Sequence, residues 1–343
     1  MSKIAFVTGA AGQLGSALVE KLDKEGYEII AFIKEHHDDS LLRILPHVTK
    51  VVRGDLKKPE SLLGQIPQGA IVIHCYSLSP GANASEDVYM AENKVGTQNL
   101  LRAAKEAKVS QFVYMSSCSV IGPKATPSHA IAERDPPSPN EPYGRSKYAA
   151  ELEIRKFYDE TLIPTLILRI FPLYGPRAHR NSTPVRLCKL LSQERFFMVG
   201  DGNNHYEFCF SRNAAEGIVL ASQKIRSGIE IMNISEPVRR TYNEVINELA
   251  KQVNPHVKIV RIPKIPALMI GVGGEIAFKI FRKRTITRLR TVQGLLGGWK
   301  SDCSKEVSML GYTQRYQLED GCAELVEWVK KSKVLESEGI KLA

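Results

Sequence analysis

The first 170 residues alternate short apolar runs with amphipathic stretches. The runs KIAFVT, EIIAFI, VTKVVRG, AIVIHC and QFVYMSS are rich in β-branched and aromatic residues. Such runs read as parallel strands covered on both faces. Helical spacing fills the gaps between them, in QLGSALVEKLDKEG and in a long pattern from about Glu86 to Ala107. A further helix follows in YGRSKYAAELEIRKFYDE, then TLILRIF as a sixth strand. This alternation predicts an α/β fold with a doubly wound parallel Rossmann sheet. After Phe171 the pattern turns to loops and shorter helices, and IEIMNIS returns as a seventh strand. The expected division is a Rossmann domain from 1–171 and 211–235, a smaller discontinuous α/β substrate lobe from 172–210 and 236–335, and a tail at 336–343.

Composition adds one asymmetry. The 343 residues are 43% hydrophobic and 24% charged, ordinary for a globular chain, but Lys and Arg outnumber Asp and Glu by 47 to 37. Lys279, Arg282, Lys283, Arg284, Arg288 and Arg290 fall in one stretch. They read as a solvated helix face or as an attractor for an anionic substrate or membrane surface. No recognition motif accompanies them, so nucleic acid is not an expected partner. The neighbouring IPALMIGVGGEIAFKIF is strongly apolar, yet Glu275 and Lys279 interrupt it and it is shorter than the roughly 20 residues of a membrane span. It reads as a lobe helix lining an apolar pocket, with a peripheral membrane contact through 266–290 as the alternative. Six cysteines lie far apart, without zinc spacing, so reduced thiols and no metal are expected. The chain opens directly into KIAFVTGAAG with no basic leader, which leads us to expect a cytoplasmic protein.

Two short stretches carry candidate chemistry. In FVTGAAGQLGSALVEKL, Gly9, Gly12 and Gly15 follow the first strand and open a helix, with Gln13 and Leu14 inside the turn. Gly9 permits a tight turn, Gly12 lets backbone approach a pyrophosphate, and Gly15 lets the helix pack on the sheet. A dinucleotide site is predicted. Its adenosine end is met by the end of the second strand, where Ile33 replaces an acid and Lys34 follows, favouring NADP(H) over NAD(H). In PYGRSK, Tyr143 and Lys147 sit one helical turn apart, a spacing that alone is more often plain surface.

Taken together, TGAAGQLG, GDL at 54–56, NKVGT at 93–97, SSCSVIG at 116–122, YGRSK at 143–147, RIFPLYGP at 169–176 and GDGNN at 200–204 resemble the extended short-chain dehydrogenase/reductase family along nearly the whole chain. The resemblance implies that Tyr143 is the general acid/base, Lys147 its activating cation and Ser117 the hydroxyl that orients the substrate oxygen. It also implies cofactor contacts at Asn93, Asp55, Leu56 and Phe171, and a homodimer. Cys118 is expected to pack rather than to react.

Departures narrow the substrate. Tyr76 is bulky where a small residue is expected near the nicotinamide, so either the site is reshaped or the tyrosine swings into the substrate pocket. The sugar-nucleotide members carry an asparagine at the position of Pro172 and a diphosphate-binding arginine and an aspartate at those of Tyr206 and Asn213. Their loss removes charge-assisted donors for a diphosphate. The string GDGNNHYEFCFSRNAAEG is similar instead to the 3β-hydroxysteroid dehydrogenase, sterol-carboxylate dehydrogenase and dihydroflavonol reductase branch. The expected activity is alcohol–ketone interconversion on a hydrophobic, steroid-like, 3-oxoacyl or aromatic small molecule. A nucleotide-sugar epimerase or dehydratase with tightly bound NAD is the alternative, and a non-catalytic cofactor-binding sensor a third.

Overall fold

In the computed structural model the residues described are 3–82, 84–122, 130–281 and 300–332, excepting the side chains of 275–281. Strands β1 (Ile4–Thr8), β2 (Glu28–Ile33), β3 (Val48–Arg53), β4 (Ile71–His74), β5 (Gln111–Ser117), β6 (Thr165–Ile170) and β10 (Ile229–Ile234) form a seven-stranded sheet. Its order is β10-β6-β5-β4-β1-β2-β3, and every pairing is parallel. Each predicted strand is present. Strand order reverses at β1, which pairs with both β2 and β4, so a crevice opens there at the carboxyl ends of the strands. Four short strands complete the set: β7 (Leu173–Tyr174) pairs with β9 (Cys209–Phe210), and β8 (Arg195–Val199) with β11 (Lys258–Ile262).

Apolar side chains cover the sheet on both faces, in two clusters that include Val7, Leu18, Ile73 and Ile218 on one and Phe6, Val72, Leu100 and Phe112 on the other. The exception is β3, whose Thr49 and Lys50 are exposed because it is the edge strand. A separate cluster gathers Val185, Leu191, Phe208, Ile246, Leu249 and Leu325 from the later segments.

The long helix expected from Glu86 to Ala107 departs from simple periodicity. Helices Glu86–Tyr89 and Gly96–Glu106 flank a π-helical turn at Met90–Val95, and that turn buries Glu92 and Asn93. Such turns are frequent at functional sites because the extra residue re-aims side chains.

Helix Lys264–Phe281 leaves Ile265, Met269 and Val272 exposed on one side. No helix among the described residues is long and apolar enough to cross a membrane. Of the basic run, the Lys279 side chain and Arg282, Lys283, Arg284, Arg288 and Arg290 lie outside the described residues, as does the tail at 336–343.

The helix Pro142–Thr161 begins with proline in its first turn, where a missing N–H costs nothing, and ends at Leu162 in the left-handed region (φ 55°). Its middle is fixed by a buried ion pair. The Arg169 guanidinium on β6 donates from Nε to Glu151 Oε1 at 3.1 Å and from an Nη to Oε2 at 2.9 Å, while Ser116 on β5 donates to the same carboxylate at 2.5 Å. Both partners are essentially inaccessible. Removing one member of such a pair strands the other charge at a cost of about 3–5 kcal/mol. Glu151→Ala is therefore expected to lower the unfolding free energy measured by urea denaturation by about 3–5 kcal/mol, and a loss within the scatter of surface substitutions, about 0.5 kcal/mol, would show that the pair does not hold the helix.

Candidate active site

The glycine turn is built as the sequence predicts. Gly9 has φ 68°, its N–H donates to Phe32 O at 2.9 Å, and a Cβ there would lie 2.7 Å from the Tyr76 nitrogen. A Cβ on Gly15 would lie 2.1 Å from Gly9 O, so only glycine lets helix Gln13–Lys24 pack this close. Gly12 caps that helix with no side chain, leaving the first-turn amides open, and the buried Gln13 Nε2 has no partner. Leu14 is buried in the sheet core. Open amides, a helix amino terminus, a glycine cradle and an unpartnered amide donor fit a pyrophosphate.

On the β2–β3 side of the turn, Gly9, Phe32, Ile33, Lys34, Gly54, Leu56 and Tyr76 wall a cavity. Asp55 stands beside it, its carboxylate accepting from the Lys57 amide at 2.9 Å. Leu56 is buried against Gly96, while its carbonyl accepts from Asn99 at 2.8 Å. Tyr76 turns into this adenosine-side cavity: its hydroxyl donates to Glu92 and its ring lies under the Lys34 ammonium, 5.0 Å from the nitrogen. Glu92 also accepts from Lys34 at 3.0 Å and pairs with Lys57 at 2.7 Å. Burial pushes the Glu92 carboxyl up, but the donors Lys57, Tyr76 and Lys34 more than offset this and hold it at about 2.

Asn93, next in the π-helical turn, is fully engaged. Its Oδ1 accepts from the Leu78 amide at 2.8 Å and the Ser77 hydroxyl at 3.2 Å, and its Nδ2 donates to Ser146 Oγ at 2.9 Å. It therefore ties the loop after β4 to the helix that carries Tyr143 and Lys147. Beneath that loop His74 is hydrogen-bonded to Thr8 at 2.7 Å and Thr97 at 2.9 Å, and burial keeps the ring neutral.

Ser117 ends β5, and its Oγ accepts from the Ser119 amide at 3.1 Å. Burial raises the Tyr143 hydroxyl to about 12, with the hydroxyls of Ser117 and Ser77 pulling it down. Tyr89 packs edge-on against the Tyr143 ring, centroids 6.0 Å apart, and Tyr89 itself hydrogen-bonds to the carbonyls of Ser79 and Pro80. Lys147 is buried with its ammonium 4.2 Å from the Tyr114 ring centre, and desolvation lowers it to about 7 against the attraction of Glu151. Phe171 is buried with Cys118, Ile121 and Ile131, and its amide donates to Ile234 O at 3.1 Å. The Cys118 thiol, pushed up to about 12 by burial, stays protonated at neutral pH.

The profile of the NAD dependent epimerase/dehydratase family matches residues 5–235. The chain belongs to this family. As a member it is an NAD(P)-dependent enzyme of the extended short-chain dehydrogenase/reductase type. Among relatives of this family member, the 2-alkyl-3-oxoalkanoate reductase of Stenotrophomonas maltophilia is 27% identical over 330 residues, spanning 93% of this chain and 97% of the relative. A decarboxylating sterol-4-alpha-carboxylate 3-dehydrogenase of Schizosaccharomyces pombe is 26% identical over 335 residues, spanning 94% and 96%. Among solved structures, UDP-glucuronic acid 4-epimerase from Bacillus cereus in complex with NAD superposes with a TM-score of 0.73 at 24% identity, over 96% of this chain and 97% of that one.

Sequence reasoning singled out Ser117, Tyr143, Lys147 and the glycine turn. It missed Ser77, Tyr89 and Glu92. A helix pattern drawn without the π-helical turn puts Glu92 on no special face, and nothing local marks it.

The buried Lys147 amine has a consequence for stability. Its value in the folded chain, about 7, lies below the ordinary 10.5, so between these limits the unfolded chain binds the extra proton and stability rises with pH. Lys147→Met is expected to remove that rise and to raise the melting temperature at pH 7 by about 2 °C or more. An unchanged pH slope between 7 and 10 in scanning calorimetry would show that the amine is not desolvated in the native protein.

Proposed function

We propose that the protein interconverts a secondary alcohol and a ketone on a hydrophobic substrate, with an NAD(P)(H) cofactor held along the glycine turn and the Lys34–Tyr76 cavity. The observation that carries the choice of substrate is aromatic. Where a diphosphate-binding arginine would stand, the Tyr206 ring packs against Phe208 and Tyr242, with ring centroids 4.8 Å and 5.7 Å apart. A diphosphate needs charge-assisted donors, whereas an apolar or aromatic skeleton needs such a wall. Pro172 and Asn213 support the same reading, since the Pro172 carbonyl accepts from the Cys209 amide and the Asn213 amide is spent on Glu236 and the Tyr316 backbone. The substrate would lie between the sheet and the segments 172–210 and 236–335.

The bound nicotinamide supplies or takes up the hydride. Tyr143 Oη gives its proton to the carbonyl oxygen in reduction and takes it from the alcohol in oxidation. Ser117 Oγ holds the same oxygen, and Lys147, when its amine carries a proton, favours the phenolate. Lys34 stands where a 2′-phosphate would be met, so NADP(H) is admissible beside NAD(H). A homodimer and a peripheral membrane contact through 266–290 stay expectations of the sequence.

A tyrosine near 12 is protonated at neutral pH, so it is set to donate. Alcohol oxidation, which needs the phenolate, is expected to rise with pH from 6 to 10, while ketone reduction stays flatter. Tyr143→Phe is expected to lose turnover by about 100- to 10,000-fold with cofactor binding retained. Screening steroid-like, 3-oxoacyl and aromatic ketones for loss of nicotinamide absorbance tests both. Isomer exchange on a nucleotide sugar without net oxidation would replace this reading with an epimerase.

A further inference from the structure

Beside the adenosine-side cavity one buried acid, Glu92, is met by two lysines that keep access to solvent. Glu92 lies inside the π-helical turn with its side chain only 10% exposed, and its two oxygens take Lys34 at 3.0 Å and Lys57 at 2.7 Å. The Tyr76 hydroxyl donates to the same oxygen as Lys34, and Lys57 has a second, longer contact with Asp55 at 3.6 Å. Arg53, a further cation at this end of the sheet, is committed to Asp39 at 2.9 Å and to the carbonyls of Glu35 and His37. Lys34 follows the last residue of β2, where it would meet the adenosine ribose, yet its charge is already answered from behind. A 2′-phosphate arriving there must compete with a carboxylate that stays ionised at every working pH, and must also bear its repulsion.

We infer that Glu92 sets the cofactor preference of this protein: as an internal counter-ion to Lys34 and Lys57 it withholds both from a 2′-phosphate and so holds back the advantage of NADP(H) over NAD(H). The inference rests on the reading of the crevice as a dinucleotide site. The π-helical turn is what makes the device possible, because it buries Glu92 beside Asn93. Specificity here is a difference of two affinities, and it is set by a repulsive element as much as by the attractive lysine. Neutral adenosine ribose, by contrast, does not call on the lysines, so NAD(H) binding is insensitive to Glu92.

The test is a set of fluorescence titrations of the purified full chain with NADH and NADPH, reading the ratio of the two dissociation constants. Glu92→Gln is expected to move that ratio toward NADPH by about tenfold, as two charge-assisted donors become free, and Lys34→Met in the same chain is expected to cancel the gain. A shift below about threefold, a shift toward NADH, or a gain that survives Lys34→Met would overturn the inference. A measurement on the unaltered protein covers the case in which the variant does not fold. Adenosine 2′,5′-bisphosphate and adenosine 5′-phosphate are expected to displace NADH with constants within about tenfold of each other. A preference of about a hundredfold for the bisphosphate would mean that Lys34 is already available, and would overturn the inference. Failure of the unaltered protein to bind either dinucleotide would instead remove the cofactor reading itself, leaving the role of Glu92 without its ligand.

Discussion

The arrangement of the site depends on the buried pair between Arg169 and Glu151. These two side chains join β6 to the helix Pro142–Thr161, and Ser116 on β5 adds a third hydrogen bond to the same carboxylate. Tyr143 and Lys147 stand eight and four residues before Glu151 on that helix, while Ser117 follows Ser116 on the strand. One carboxylate therefore fixes the relative height of the three groups assigned to proton transfer. Ion pairs this deep seldom add net stability over an apolar replacement, because desolvation offsets the attraction. What this pair supplies is register: a bidentate fork accepts one orientation of the helix against the sheet, and a greasy contact would accept several.

Helix and strand are legible in the sequence wherever one period dominates. The apolar runs at Ile4–Thr8, Glu28–Ile33 and Thr165–Ile170 are covered on both faces, so their residue types alone give strand and parallel pairing. The glycine turn is legible because its constraint is steric and local: a Cβ at Gly9 or Gly15 would collide with named backbone atoms. Tyr143 and Lys147 are legible through their spacing and company. In contrast, the π-helical turn at Met90–Val95 has no signature in hydrophobic spacing, since one extra residue merely shifts the phase of a pattern already irregular. The direction of Tyr76 was equally hidden. Its neighbours in space, Lys34 and Glu92, lie 42 and 16 positions away, and a side chain at the end of a strand can follow either side of the switch point.

Two lysines near one crevice have opposite fates, and the difference is solvation. Lys147 is buried over an aromatic face, and desolvation brings its amine down to about 7 against the attraction of Glu151. Lys34 keeps partial access to solvent and has a carboxylate in contact, so its ammonium is already answered. Position in the sequence tells where a cation can reach. It does not tell whether the cation is free to bind.

That distinction bears on how substrate and cofactor ends of the crevice came to differ from the diphosphate-binding pattern. At the substrate end a cation has been replaced by Tyr206, which joins Phe208 and Tyr242 in an aromatic wall. At the cofactor end cations are present but answered by Glu92. Both changes lower the positive potential inside the crevice while the chain as a whole carries a net charge of +10. The surplus therefore lies elsewhere, and a pyrophosphate, in the proposed reading, would be met by the open first-turn amides of helix Gln13–Lys24 and the unpartnered Gln13 side-chain amide.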